Sequence, residues 1–130
     1  MNILLDTNAF LWQIGPKNQS KLGQKAQELM NEATIVFVSS VSVVELHIKT
    51  MLGKIDMPEN ITDIIEKAGD IPLEYSPQAA DTLRSFPDLV RHDPFDRMLL
   101  AQAKREHMLF LTADELLLGL GLSYVVDARK

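Results

Sequence analysis

The chain has 130 residues, 46% of them hydrophobic and 24% charged, a size and balance that fit one α/β domain spanning residues 1–130 with a core of its own. Its formal net charge of −5 has the opposite sign to that of a general nucleic-acid binder, unless several acids share one site where a bound cation offsets them. The lack of cysteine excludes disulfides and thiolate metal sites. No apolar run approaches the roughly 20 residues of a membrane span, and the opening MNILLDTN has no basic segment of a signal peptide, so a cytoplasmic protein with no membrane partner is expected.

In chain order, NILLD (2–6) reads as a short strand closed by an acid, and NAFLWQI as a short helix stopped by Gly15-Pro16. Residues 20–33 carry Leu22, Ala26, Leu29, Met30 and Ala33 at helical spacing, with Ser20 as the expected N-cap. TIVFVS (34–39) is β-branched and continuous, a buried strand, and leads into a helix over 40–52 with Gly53 past its end. A helix over 61–69 ends at Gly69, and a strand is expected within 71–76. Ser76-Pro77 opens a helix over 76–86. The helix over 93–107 feeds a strand at 108–112, and a short helix in ADELLLGLG precedes a last strand at 122–127. Strands alternating with helices imply a parallel sheet covered on both faces, whose ligands bind at the carboxyl ends of the strands where the strand order reverses.

Acids fall where such a crevice can collect them. Asp6 ends the first strand, Asp114 follows the fourth, and Asp93 and Asp96 open the helix that feeds the fourth. Glu45 lies beside the stripe Val41, Val44, Ile48 and Leu52, just after the most apolar part of the chain, where a carboxylate needs a partner or a metal. Carboxylates without cysteine and with few histidines suit a hard cation, Mg²⁺ or Mn²⁺, of the kind that clamps a phosphodiester for in-line displacement. Each acid also has a purely local explanation. Asp93-Pro94-Phe95-Asp96 is a good helix start. Glu45 and Lys49 are an i,i+4 pair. Asp6 and Asp114 can each begin a turn, with Thr112 as an N-cap.

Four segments, LLDTNAFLW (4–12), VSSVSVVELHIKTMLGKI (38–55), HDPFDRMLLAQA (92–103) and LTADE (111–115), resemble in order the acidic motifs of the PIN-domain ribonucleases, specifically the VapC-type toxins of prokaryotic toxin–antitoxin pairs. The resemblance spans nearly the whole chain. It implies a three-layer fold with a five-stranded parallel sheet of order 3-2-1-4-5. It also implies a metal-dependent endoribonuclease acting on RNA, whose Mg²⁺ or Mn²⁺ is held by Asp6, Glu45, Asp96 and Asp114, and it implies homodimers and a cognate antitoxin as partner. Motif alignment puts the family acid on Asp96, which leaves Asp93 as a cap or as a support for Arg97 or a water. Thr7, Asn8 and Thr112 are placed to steady a carboxylate or water, although many relatives have histidine where this chain has Asn8.

Lys49, Lys54, Arg91 and Arg97 are candidates to guide an RNA backbone, against the alternative of solvated surface charge. Trp12 is expected to pack, and His47, His92 and His107 are expected to be structural because none has metal spacing to another histidine. Met30, Met51, Leu52 and Met57 are assigned to the core, with an exposed groove for an antitoxin helix as the alternative. A response-regulator receiver would need a phospho-accepting aspartate after a middle strand and a late lysine, and both are missing. A haloacid-dehalogenase phosphatase would need a second acid where Asn8 stands. A catalytically silent PIN-like protein-binding module is disfavoured because all four acids are present.

Overall fold

The computed structural model describes residues 1–130. Five strands, β1 (Asn2–Leu5), β2 (Ile35–Ser39), β3 (Ile71–Leu73), β4 (Leu109–Thr112) and β5 (Val125–Asp127), form one parallel sheet in the order β3-β2-β1-β4-β5. The seven helices are α1 (Thr7–Ile14), α2 (Gln24–Glu32), α3 (Ser40–Met51), α4 (Ile61–Lys67), α5 (Pro77–Asp81), α6 (Pro94–Arg105) and α7 (Glu115–Leu118). No helix is long and apolar enough to cross a membrane.

Alternation along the strands sorts the core into two layers, since successive side chains leave opposite faces of a sheet. Ile3 and Leu5 join Phe10, Leu46, Ile61 and Leu111 on one face. Leu4 joins Leu99, Leu100, Phe110 and Leu117 on the other. The chain builds outward from β1 through β2 to β3, then returns to the far side of β1 for β4 and β5. Strand order therefore reverses at β1, and the crevice at its carboxyl end is where such sheets bind ligands.

Three expectations are corrected. The helix expected from residue 20 begins at Gln24, with Gly23 and not Ser20 at its N-cap. A Cβ on Gly23 would sit 2.0 Å from the Lys130 carbonyl carbon, and Ala26 N–H donates to Lys130 O (2.9 Å), so backbone from the far end of the chain starts this helix. The helix expected over 76–86 is only the short α5, capped by Ser76 and continued as a 3₁₀ stretch, Thr82–Ser85.

The third correction concerns α3. Its expected inner stripe is largely its outer one: Val44, Ile48 and Leu52 are 50%, 41% and 64% exposed, and Met51, expected in the core with Leu52, is 86% exposed. The buried face is Val41, Ser42, Glu45 and Leu46. Apolar periodicity marks a face that avoids water without saying whether the core or a partner covers it. Here Ser42 and Glu45 turn inward because hydrogen-bond partners wait for them there. Met30, Met57 and Trp12 pack against the core as expected.

Candidate metal centre

Four helices begin at the carboxyl edge of the sheet, and their caps assemble the site. Asp6 caps α1, taking the Ala9 N–H on Oδ1 (2.7 Å). Ser39 caps α3 through the Val41 N–H (3.0 Å). Asp93 caps α6, with its Oδ1 accepting from Phe95 N–H (2.8 Å) and Asp96 N–H (3.2 Å). Asp114 caps α7, with its Oδ1 accepting from Leu117 N–H (3.0 Å). Capping and site-building are thus not alternatives for Asp6 and Asp114. Each spends one oxygen on its helix and has the other free of it: that of Asp6 meets Thr112 Oγ1, and that of Asp114 lies 3.3 Å from His92 Nε2. Helix N-termini carry partial positive charge, which favours the anions gathered there.

Asp6 and Glu45 are nearly buried, at 4% and 5% exposure. The second oxygen of Asp6 accepts from Thr112 Oγ1 (2.7 Å), whose oxygen in turn accepts the Asp114 N–H (3.0 Å). Glu45 accepts from Thr7 Oγ1 (2.6 Å), which lies 2.9 Å from Ser42 Oγ, and from Lys49 Nζ (2.5 Å). The i,i+4 pair expected at Glu45 is therefore present, and it operates inside the acidic cluster. The Glu45 carboxylate holds the Lys49 ammonium above its usual pKa.

Electrostatics report the crowding. Burial pushes the Asp6 carboxyl up to about 6, opposed by hydrogen bonds from Thr112, Ala9 and Ala113 and reinforced by the Glu45 charge. Burial pushes Asp96 up to about 7, with the charges of Asp93, Asp114, Asp6 and Glu45 adding to the effect. Like charges brought together this closely have a use when a cation joins them. The donor set is oxygen-rich, and ligand atoms of His92, Asp96 and Asp114 all lie within 4.8 Å of one another, whereas Asp6, held by Thr112, and Glu45, held by Thr7 and Lys49, stand outside that group. A hard divalent ion fits such a set.

His92, expected to be structural, belongs to this cluster. Its Nε2 is 3.4 Å from Asp96 Oδ2 and 3.3 Å from Asp114 Oδ2, without hydrogen-bond geometry to either. A search for paired histidines misses it, but its position four residues before Asp96 was a usable signal. Of the other expected neighbours, Thr7 and Thr112 contact site acids. Asn8 is exposed, and Arg97 pairs with no carboxylate, so Asp93 does not orient it. Lys54 and Arg91 are exposed.

The family model described as the PIN domain matches residues 3–118. No individually curated protein matches the sequence. Among solved structures, the chain is similar to VapBC from Salmonella typhimurium bound to DNA, with TM-score 0.70, 20% identity and 98% of each chain covered. It is equally similar to VapBC2 from Rickettsia felis bound to a promoter DNA fragment, with TM-score 0.70, 16% identity and 98% of each chain covered. A toxin–antitoxin complex from Klebsiella pneumoniae gives TM-score 0.66 at 16% identity, again over 98% of each chain. The order β3-β2-β1-β4-β5 is the one the motif resemblance implied. With the match covering nearly the whole sequence, this chain belongs to the PIN domain family.

Proposed function

We propose that the protein is the toxin of a toxin–antitoxin pair, a cytoplasmic endoribonuclease that hydrolyses RNA phosphodiester bonds with Mg²⁺ or Mn²⁺, and that residues 1–130 act as one domain. The observation that carries this reading is the meeting of Asp96 and Asp114 with His92, ligand atoms within 4.8 Å of one another, beside the buried carboxylates of Asp6 and Glu45, whose charges act on Asp96. A divalent cation would offset the mutual repulsion of these carboxylates. These four carboxylates would hold the ion, with His92 adding one nitrogen to the oxygen set. A divalent cation there would supply Lewis-acid chemistry, offsetting charge that builds on the phosphoryl oxygens.

The chain's own residues do the rest. Thr112 fixes the rotamer of Asp6 and ties it to the Asp114 backbone, so two strands' worth of ligands move as one unit. Thr7 donates to one oxygen of Glu45 and Lys49 to the other, which fixes the orientation of its carboxylate. Asp93 anchors the first turn of α6 and so sets the position of Asp96. The structural neighbours were solved as toxin–antitoxin complexes. A partner of that kind, and a homodimer contact, would find an unpartnered apolar face on α3 at Val44, Ile48, Met51 and Leu52.

The test is RNA cleavage and Mn²⁺ binding by calorimetry on antitoxin-free protein, with Asp96→Asn and Asp93→Asn alongside. Loss of both in Asp96→Asn, with Asp93→Asn retaining both, supports the reading. Wild-type protein that binds no divalent ion and cuts no RNA overturns it in favour of a silent binding module.

A further inference from the structure

A second concave region lies away from the acids, along the seam between α6 and the 3₁₀ stretch Thr82–Ser85. A depression of about 600 Å³ there is lined by Thr82, Ser85, Lys104, Arg105 and His107. Every one of these side chains carries an N–H or O–H donor, and none carries a carboxylate. Glu106, between two of them in sequence, does not line it. In a chain of net charge −5 this is a local reversal of sign.

The arrangement is held in place. Lys104 Nζ sits 5.3 Å from the centroid of the Phe86 ring, a cation–π contact that keeps the ammonium at the seam. His107 has φ +55°, a left-handed conformation usually left to glycine or asparagine after a helix. It serves as the helix-ending residue, with Met108 N–H donating to Ala103 O (3.0 Å), and carries an imidazole where glycine would carry nothing.

The seam continues toward the acids. A second depression is lined by Leu83, Arg84, Phe86, Pro87, Val90 and Arg97. The Nε of Arg97 is buried there with no hydrogen-bond partner, one residue from Asp96. From Pro94 to Arg105, α6 covers roughly 18 Å, so Arg97 near its start and Lys104 and Arg105 at its end, with Arg84 on the facing 3₁₀ stretch, mark a track of spaced cations leading away from the acids.

We propose that this track binds backbone phosphates of single-stranded RNA that extends beyond the metal centre, with Lys104, Arg105 and His107 forming its distal phosphate site. The proposal rests on the ribonuclease reading for the identity of the polymer. Phosphate contacts of this kind position a strand without reading its sequence, and they are salt-dependent.

The experiment is fluorescence anisotropy across a salt series, in EDTA so that no cleavage occurs. The probe is a labelled single-stranded RNA long enough to run the length of α6. The proteins are wild type, Arg105→Gln, Lys104→Gln/Arg105→Gln, and a charge-matched control, Lys21→Gln/Lys25→Gln on and beside α2. Arg105→Gln leaves the Lys104–Phe86 contact intact, which separates charge loss from any loosening of the seam.

The expected result for the Lys104/Arg105 double variant is roughly tenfold weaker binding of the long RNA, with a log–log salt slope shallower by about 1.4. Arg105→Gln should shift the slope by about half as much. The control should stay at the wild-type value. A double variant that binds the long RNA with the wild-type slope overturns the proposal while leaving the nuclease reading intact. So does a control that loses as much as the double variant, because the effect is then net charge alone. Cleavage is read separately, so a protein that binds RNA through these residues but never cuts it supports the track and sinks the nuclease.

Discussion

Asp6 and Asp70 are buried to the same degree, each 4% exposed, and burial pushes each up to about 6. Their surroundings differ. Asp6 has hydrogen bonds from Ala9 and Thr112 and faces the charge of Glu45. Asp70, at the corner between α4 and β3, has one partner, Gln13 Nε2 at 3.1 Å, and leaves its own Oδ2 and the Gln13 Oε1 buried without partners. No charged group contributes to its shift. Helix α1 joins the two corners, with Asp6 at its cap and Gln13 in its last turn. The comparison separates two causes that a raised pKa alone confuses: a carboxylate can be isolated, or it can be one of several gathered for a common ligand.

Asp6→Asn tests the gathered corner with the largest expected effect. RNA cleavage should fall by roughly 10²- to 10³-fold and Mn²⁺ binding should be lost in calorimetry, while the metal-free protein melts at a higher temperature because one buried charge is gone. Lower stability of the metal-free variant would mean that Asp6 serves the fold first.

The pH dependence of the metal-free protein comes next. A carboxyl whose folded pKa is raised binds its proton more tightly when folded. The stabilisation is therefore fully present below about 4 and is lost as pH rises through about 6 for Asp6 and about 7 for Asp96. Urea unfolding should show a decline on the order of a few kcal/mol between mildly acidic and neutral pH. Mn²⁺ should reverse it above neutrality. A flat profile would show that the crevice is wetter than its geometry implies.

Asp70→Asn probes the isolated corner. An asparagine amide can donate to the orphaned Gln13 Oε1, and it has no charge to desolvate. Stability near neutral pH should rise by roughly 1–2 kcal/mol, with little change below about pH 4. Metal binding and cleavage should match wild type. Weakened cleavage would show that α1 transmits strain from one corner to the other.

The smallest effect is at Asp93. Asp93→Ala removes the cap of α6 and should cost about 1 kcal/mol in urea melts. The same change takes away the second-largest influence on Asp96, whose pKa should fall in a carboxyl NMR titration.

Much of this was legible in the chain. Every strand and helix was anticipated, and most were placed within a few residues, because β-branched runs, Ser-Pro and Asp-Pro starts and glycine stops are local signals; the end of α5 and the start of α2 were not, because no such signal marks them. The four acids were picked out because each stands at an element's end or in an apolar neighbourhood. His92 was missed because its significance depends on Asp114, which is distant in sequence. The face of α3 was misassigned because a hydrophobic stripe does not name what covers it.

Local sequence, then, determined which segments form strands and helices and which acids stand at their ends. Those choices depend on neighbours within about four positions. Only the tertiary structure decided that Asp6 divides its oxygens between its own helix and Thr112, that Asp114 and Asp96 meet at His92, and that Glu45 faces inward. Each of these depends on a partner across the sheet, such as Thr112 for Asp6 and Thr7 for Glu45. A hydrogen bond between residues 106 positions apart in the chain leaves no periodicity in the sequence to read.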